Sequence, residues 1–240
     1  MIATGQDVCF FGCEEPVKRS EPFSLSRVNA ALAEFAHPDI YRDLEELVNA
    51  AYEFSNPYGH VFQTLLQRPD FQYGCYYRHR YFCTRFYSWA IPNQEALECI
   101  AEFGPILEVG AGNGYWAYLL RNMGVDVVAV DRHPPHPQSK NSYGHKTRYT
   151  YVRRGSSRAP LKYPERTLML CWPPYDTSLA YDALRSYSGE YLIYIGEGTG
   201  GCNGDSRFWN ELYDNWKHVR FQSIPQWPGI HDGLDIYRRR

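Results

Sequence analysis

Apolar positions recur at helical spacing from residue 24 to residue 104, then give way to short unbroken apolar runs. After Ser24, Leu25, Val28, Leu32 and Phe35 share one face until His37-Pro38 ends the run. A second stripe, Ile40, Leu44, Leu47, Val48 and Ala51, stops before Asn56-Pro57. Val61, Phe62, Leu65 and Leu66 predict a third short helix, closed by Arg68-Pro69-Asp70. Asn93 is placed to cap a helix carrying Ala96, Leu97 and Ile100, which Gly104-Pro105 terminates. Residues 1–22, with Glu14, Glu15, Pro16 and Pro22, have no period and read as a loose arm, and 23–104 read as a helical cap region.

The pattern changes at residue 106. Ile106 to Val109 is an apolar run entering a glycine-rich turn, and a helix follows with Trp116, Leu119, Leu120 and Met123 inward and Gly124 as its stop. Val125 to Val130 predicts a second strand ending in Asp131, and Tyr149–Val152, Thr167–Cys171 and Tyr191–Ile195 predict a third, fourth and fifth. Helices are expected around 176–188 (Ala180, Ala183, Leu184, Tyr187) and 205–217 (Phe208, Leu212, Trp216). Apolar strands alternating with helices indicate an α/β domain over 105–240, its parallel sheet covered on both faces. Val219–Ile224 and Leu234–Tyr237 read as a hairpin on the sheet's edge.

Composition narrows the class. With 240 residues, 44% hydrophobic and 16% aromatic, including 21 Tyr and 6 Trp, most of the chain is excluded from intrinsic disorder. The formal charge of −2 argues against a generally basic nucleic-acid binder but leaves a local patch open. The seven cysteines (Cys9, Cys13, Cys75, Cys83, Cys99, Cys171, Cys202) are scattered without a Cys-x-x-Cys pair, so they read as buried free thiols in a reducing compartment. Neither a secretory signal nor a run approaching the ~20 apolar residues of a membrane span is present, so a cytoplasmic location without a membrane partner is expected.

The strand–turn–helix at 106–122 carries the candidate chemistry. Gly110, Gly112 and Gly114 lack side chains, so a ligand can approach the backbone closely and the turn can adopt positive φ. Tyr115 stands where a G-x-G-x-x-G dinucleotide fingerprint requires Gly or Ala, which weakens nicotinamide and flavin readings. Asp131, closing the next strand, is suited to accept hydrogen bonds from two ribose hydroxyls of an adenosyl group. A glycine turn serving only tight strand-to-helix packing is the competing reading.

The segment Ile106-Leu-Glu-Val-Gly-Ala-Gly-Asn-Gly-Tyr-Trp-Ala, with its later Val-Asp131, resembles the first two motifs of class I S-adenosylmethionine-dependent methyltransferases. The resemblance covers 105–240 and implies a Rossmann-like seven-stranded sheet, mostly parallel, with a C-terminal antiparallel hairpin. It implies S-adenosylmethionine as cofactor, its methionine part held by Glu108, Gly110, Ala111, Gly112, Asn113 and Gly114, and its ribose by Asp131. Near the family's third motif, where an acid or small polar residue meets the adenine, this chain has Arg153-Arg154-Gly155-Ser156, with Ser156 as the candidate contact.

After the fourth strand, Trp172-Pro173-Pro174-Tyr175 resembles the Asp/Asn/Ser-Pro-Pro-aromatic motif of amino-methyltransferases. In that motif two prolines fix an extended turn and present a carbonyl to the acceptor, the first side chain accepts from the amino group, and the aromatic stacks on a planar substrate. Trp172 departs from it, because an indole donates but does not accept. A rigid strand-to-helix turn is the plainer alternative. Asp176 and Glu197, both at strand ends, are candidates to take a proton from the acceptor, or else to cap the next helix or pair with an Arg.

From Lys140 to Arg166, eight Lys/Arg face one acid, Glu165, with Tyr143, Tyr149, Tyr151 and Tyr163 interleaved. This segment either meets phosphates or RNA or forms a solvated face. His133, His136 and His145 match no familiar metal spacing, so no metal is expected. The aromatics Tyr73, Tyr76, Tyr77, Tyr81, Phe82, Phe86, Tyr87 and Trp89 read as core, with Tyr87 or Trp89 reaching the acceptor pocket. The expectation is methyl transfer to a nitrogen or oxygen of a planar acceptor, a small molecule or a nucleobase. The alternative is a non-catalytic adenosyl-binding subunit, RNA-associated or scaffolding, with the same fold.

Overall fold

Residues 38–51, 54–69, 71, 76–135 and 148–240 are described by the computed structural model. The arm 1–22, the helix from Ser24 to Phe35, Cys9, Cys13, Tyr73, Cys75, His136, Lys140, Tyr143, His145 and Lys146 lie outside them. Among the described residues four helices precede the sheet: α1 (Pro38–Ala51), α2 (Pro57–Leu66), α3 (Tyr76–Phe86) and α4 (Gln94–Ala101). Asn93 caps α4 as its sequence predicts, its side chain accepting from Ala96 N at 3.0 Å. Leu44, Leu47, Val48 and Ala51 of α1 and Val61, Phe62 and Leu65 of α2 are buried.

The remainder alternates: β1 (Ile106–Val109), α5 (Tyr115–Asn122), β2 (Val127–Asp131), β3 (Arg153–Arg154), β4 (Thr167–Cys171), α6 (Leu179–Arg185), β5 (Tyr191–Gly196), α7 (Ser206–Asn215), β6 (Trp216–Ser223) and β7 (Gly233–Arg239). The described strands form one seven-stranded sheet in the order β3-β2-β1-β4-β5-β7-β6. β1 to β5 are parallel, and β7 runs antiparallel between β5 and β6. The first strand of the terminal hairpin is therefore the edge, and the second is interior. Their side chains agree: Leu234 and Ile236 of β7 are buried, whereas Val219 and Phe221 of β6 are exposed.

Coverage on both faces explains why β4 and β5 are nearly continuous apolar runs and why β1 is apolar but for Glu108. On one face Ile106, Ala129, Met169 and Ile193 pack with residues of α1 to α5; on the other Leu107, Leu168 and Leu192 pack with α6 and α7. The helical region thus shares its core with the sheet. It also reaches the β6 edge, where Asn93 Nδ2 donates to Ser223 O (3.2 Å) and Arg220 pairs with Glu102 (2.7 Å).

Four details differ from the sequence pattern. The third strand is Arg153–Arg154, not Tyr149–Val152: Tyr149 and Val152 leave the ladder and turn inward, Tyr149 Oη donating to Phe86 O at 2.9 Å. β2 starts at Val127. Met123 and Leu66 are 40% and 41% exposed, each at a helix end beyond the buried stripe. Trp216 opens β6 instead of closing α7, its ring buried beside Tyr187. Among the described residues no helix is long and apolar enough to cross a membrane.

Candidate functional site

The strand order reverses between β1 and β4, the switch point at which open α/β sheets bind ligands. A cavity of about 900 Å³ opens there, lined at one end by Gly110, Gly112, Asp131 and Ser156 and at the other by Trp89, Trp172, Pro174 and Tyr175. The glycine turn curls over the end of β2: Gly110 N and Ala111 N both donate to Val130 O, at 2.8 and 3.0 Å. Gly110, Gly112 and Gly114 have φ of +80°, +55° and +77°, which L side chains adopt only under strain. The Asp131 carboxylate sits at the lip, accepting from Gly112 N (2.9 Å) on one oxygen and from His133 N (2.7 Å) on the other. Gly155 N donates to Asp131 O at 2.9 Å, which seats Ser156 beside it.

Four residues that the resemblance assigns to the cofactor do not line the cavity: Glu108, Ala111, Asn113 and Gly114 are buried behind it. Asn113 ties the loop to the helical region, Nδ2 donating to Phe86 O (3.1 Å) and Tyr87 O (2.5 Å) while Oδ1 accepts from Tyr115 N (3.1 Å). Asn113→Ala removes all three bonds and should lower stability by about 2–4 kcal/mol in denaturant unfolding. Glu108, 2% exposed, has one carboxylate oxygen without a partner among the described residues. Burial pushes its carboxyl up to about 8, against the pull of Arg121 and a hydrogen bond from Ala117 N. A raised carboxyl stabilises the fold fully below its ordinary value of 4.5, and that contribution is lost as pH rises to about 8. Glu108→Gln should therefore match the parent near pH 4 and exceed it in urea resistance at pH 9.

The Trp-Pro-Pro-Tyr turn is bound into the protein. Trp172 has φ +48°, and its indole donates to Asp232 Oδ1 at 2.8 Å. Its ring stacks on Trp89, centroids 5.1 Å apart and planes 21° apart, and the Arg80 guanidinium lies 5.6 Å from both rings. Pro173 O, the carbonyl that an amino-methyltransferase turn offers its acceptor, here accepts from Gly204 N (3.1 Å) and Asn203 Nδ2 (3.3 Å). Tyr175 is 66% exposed at the cavity mouth. Asp176 is exposed, with φ +52°. Glu197 is buried and accepts from Cys202 N (3.0 Å) and His231 N (3.2 Å), so it pins two loops behind the turn.

The strand order, the interior antiparallel β7 and a glycine turn facing an acid across one switch point identify the architecture. The fold is that of class I methyltransferases. No family model matches the sequence, and neither does any curated protein. Among solved structures, a mutant of MtNAS in complex with S-adenosylmethionine aligns with 90% of this chain and 96% of its own at 11% identity and a TM-score of 0.42. An rRNA methylase from Streptococcus thermophilus covers 60% of this chain and 94% of its own, at 15% identity and 0.38. The magnesium protoporphyrin IX methyltransferase of Synechocystis, solved with bound SAM, covers 61% and 79%, at 10% identity and 0.38. None of these likenesses says what this chain acts on.

The basic stretch divides on the methyltransferase frame. Arg166 turns inward to Asp126 (2.7 Å) and Arg153 donates to Tyr163 Oη (3.3 Å). Arg148, Arg154, Arg158 and Lys162 are exposed, and Arg132 and Arg158 stand on the cavity rim. Sequence reasoning had no signal for Asp232 or Asn203: each is an isolated polar residue in a loop, brought to Trp172 or Pro173 from 60 and 30 positions away. Among the described residues no three His, Cys, Asp or Glu side chains gather as a metal site.

Proposed function

We propose that this chain is an S-adenosylmethionine-dependent methyltransferase acting on a nitrogen or oxygen of a planar acceptor, a small molecule or a nucleobase. The observation that carries this reading is that one continuous cavity is lined both by the glycine turn and Asp131 and by the Trp172–Tyr175 turn. Its volume of about 900 Å³ lies in the range of cofactor sites, about 300–1,000 Å³. The residues fit the cofactor: glycines without Cβ leave backbone exposed at the β1 end, and the Asp131 carboxylate has lone pairs to spare for two ribose hydroxyls. Ser156 offers a hydroxyl toward the adenine. When bound, S-adenosylmethionine supplies an already activated methyl group, so the protein's part is alignment and exclusion of water.

Tyr175 and the indoles Trp89 and Trp172 offer aromatic surface at the far end, which suits a flat acceptor. Neither candidate proton acceptor lines the cavity: Asp176 stands in solvent beside the turn, and Glu197 is buried behind it. The exposed Arg132 and Arg158 on the rim are suited to a phosphate of a nucleic-acid acceptor. If both meet one, acceptor binding should weaken by about tenfold between 50 and 200 mM salt. Salt-independent affinity removes that role.

One observation favours a second reading, an adenosyl-binding subunit without transfer: Pro173 O and the Trp172 indole are both engaged within the protein. Tritium transfer from labelled S-adenosylmethionine to total RNA, DNA and a metabolite extract decides between them. Label in any pool supports the enzyme; cofactor binding without label in any pool supports the subunit.

A further inference from the structure

Trp172 holds a backbone conformation that bulky L residues avoid, and such strain persists only where the surroundings over-determine it. Four contacts do so: its N–H donates to Ile195 O at 2.8 Å, its indole donates to Asp232, its face lies on Trp89, and Arg80 touches both rings. Asp232 is the unusual member. It is 1% exposed, does not line the cavity, and its Oδ2 has no hydrogen-bond partner among the described residues. A carboxylate removed from water at this depth is costly, and nothing in the sheet requires it, since Asp232 precedes β7.

We propose that Asp232 is a positioning residue: it holds the Trp172 indole flat against Trp89, and the pair forms the wall on which a planar aromatic acceptor is laid. This rests on the methyltransferase reading above and names how its acceptor end is built. An indole has one polar atom, a donor. Directed inward at Asp232, that donor leaves carbon surface of the pair to the cavity, so the wall suits a flat ring better than a charged chain. Trp89 sets the plane of Trp172, and Asp232 sets its rotation within that plane.

The groups facing Asp232 are Arg80 of α3, Glu197 after β5, Tyr194 of β5, Cys171 at the end of β4 and Tyr58 of α2. Burial pushes the Asp232 carboxyl up to about 7 and Glu197 adds to this, while the Trp172 bond and Arg80 oppose it. Its charge therefore changes near neutrality, and the grip on the indole changes with it.

The test is the circular-dichroism couplet of the stacked indoles, assigned by its loss in Trp89→Phe. Asp232→Ala should reduce the couplet at least twofold, while Asp232→Asn, which keeps an acceptor oxygen in the same shape, should retain it. The couplet of Asp232→Asn should be constant from pH 5 to 9 and equal to that of the parent at pH 5, where the acid is neutral too, and the parent couplet should grow as pH rises through about 7. In tritium transfer to RNA and metabolite extracts, Asp232→Ala should fall at least tenfold with S-adenosylmethionine affinity within twofold of the parent, and Asp232→Asn should recover most of it. An unchanged couplet in Asp232→Ala, failure of Asp232→Asn to recover transfer, or a parallel loss of cofactor affinity overturns the proposal. Should Asp232→Ala not fold, Trp172→Phe, which keeps a ring without the donor, replaces it in the transfer assay and is expected to lose transfer to the same degree. If the parent binds cofactor but labels no pool, the acceptor reading fails and the wall with it, while the couplet still reports whether Asp232 holds Trp172.

Discussion

Valine at Gly114 should destabilise the protein by about 2–6 kcal/mol, the sum of two effects of about 1–3 kcal/mol each. The first is conformational: Gly114 caps α5 at φ +77°, a region hostile to β-branched residues. The second is steric, because a Cβ there lies 2.8 Å from Val152 Cγ2 and 3.1 Å from Thr150 Cγ2. At about 2–4 °C per kcal/mol for a chain of this size, the melting temperature should drop by about 4–24 °C. Gly124→Ala separates the two effects. Gly124 has φ +85° but nothing within 4 Å of its Cβ, so only the conformational cost, about 1–2 kcal/mol, should appear. Equal losses at both positions would show that the Val152 contact matters little.

Asp131→Ala should weaken S-adenosylmethionine binding ten- to a hundredfold, about 1.4–2.8 kcal/mol. The substitution removes the carboxylate proposed for the ribose and also the acceptor that fixes Gly112 N at 2.9 Å and His133 N at 2.7 Å. Asp131→Asn keeps one acceptor oxygen and should fall between the two. Denaturant unfolding of the same variants separates loop loosening from lost ligand contact. An unchanged dissociation constant in Asp131→Ala would remove Asp131 from the cofactor site.

The sheet was legible because two covered faces leave β1, β4 and β5 as largely apolar runs, a signal that needs no tertiary knowledge. β3 was not, because a two-residue strand of arginines at the sheet's far edge carries no apolar pattern. The glycine turn and Asp131 announced themselves by spacing, since both lie within one strand–helix–strand unit. Asn113 shows the limit of that spacing: its place in the loop suits a ligand, yet its amide is turned to the carbonyls of Phe86 and Tyr87. The end of the cavity at the Trp172–Tyr175 turn was half legible. Pro173, Pro174 and Tyr175 mark a rigid turn by chemistry alone, but the partners that bind the turn, Asp232, Asn203 and Trp89, arrive from three separate segments. The crowded aromatics of 76–91 likewise divide only in three dimensions, Phe82 and Phe86 stacking inside the core while Tyr77 and Tyr81 face solvent.

Titration calorimetry of the folded chain with S-adenosylmethionine and S-adenosylhomocysteine tests the central claim most directly. Saturable binding at one site per chain, weakened in Asp131→Ala and preserved in Asp232→Ala, is the predicted result. Folded protein that binds neither compound would contradict it.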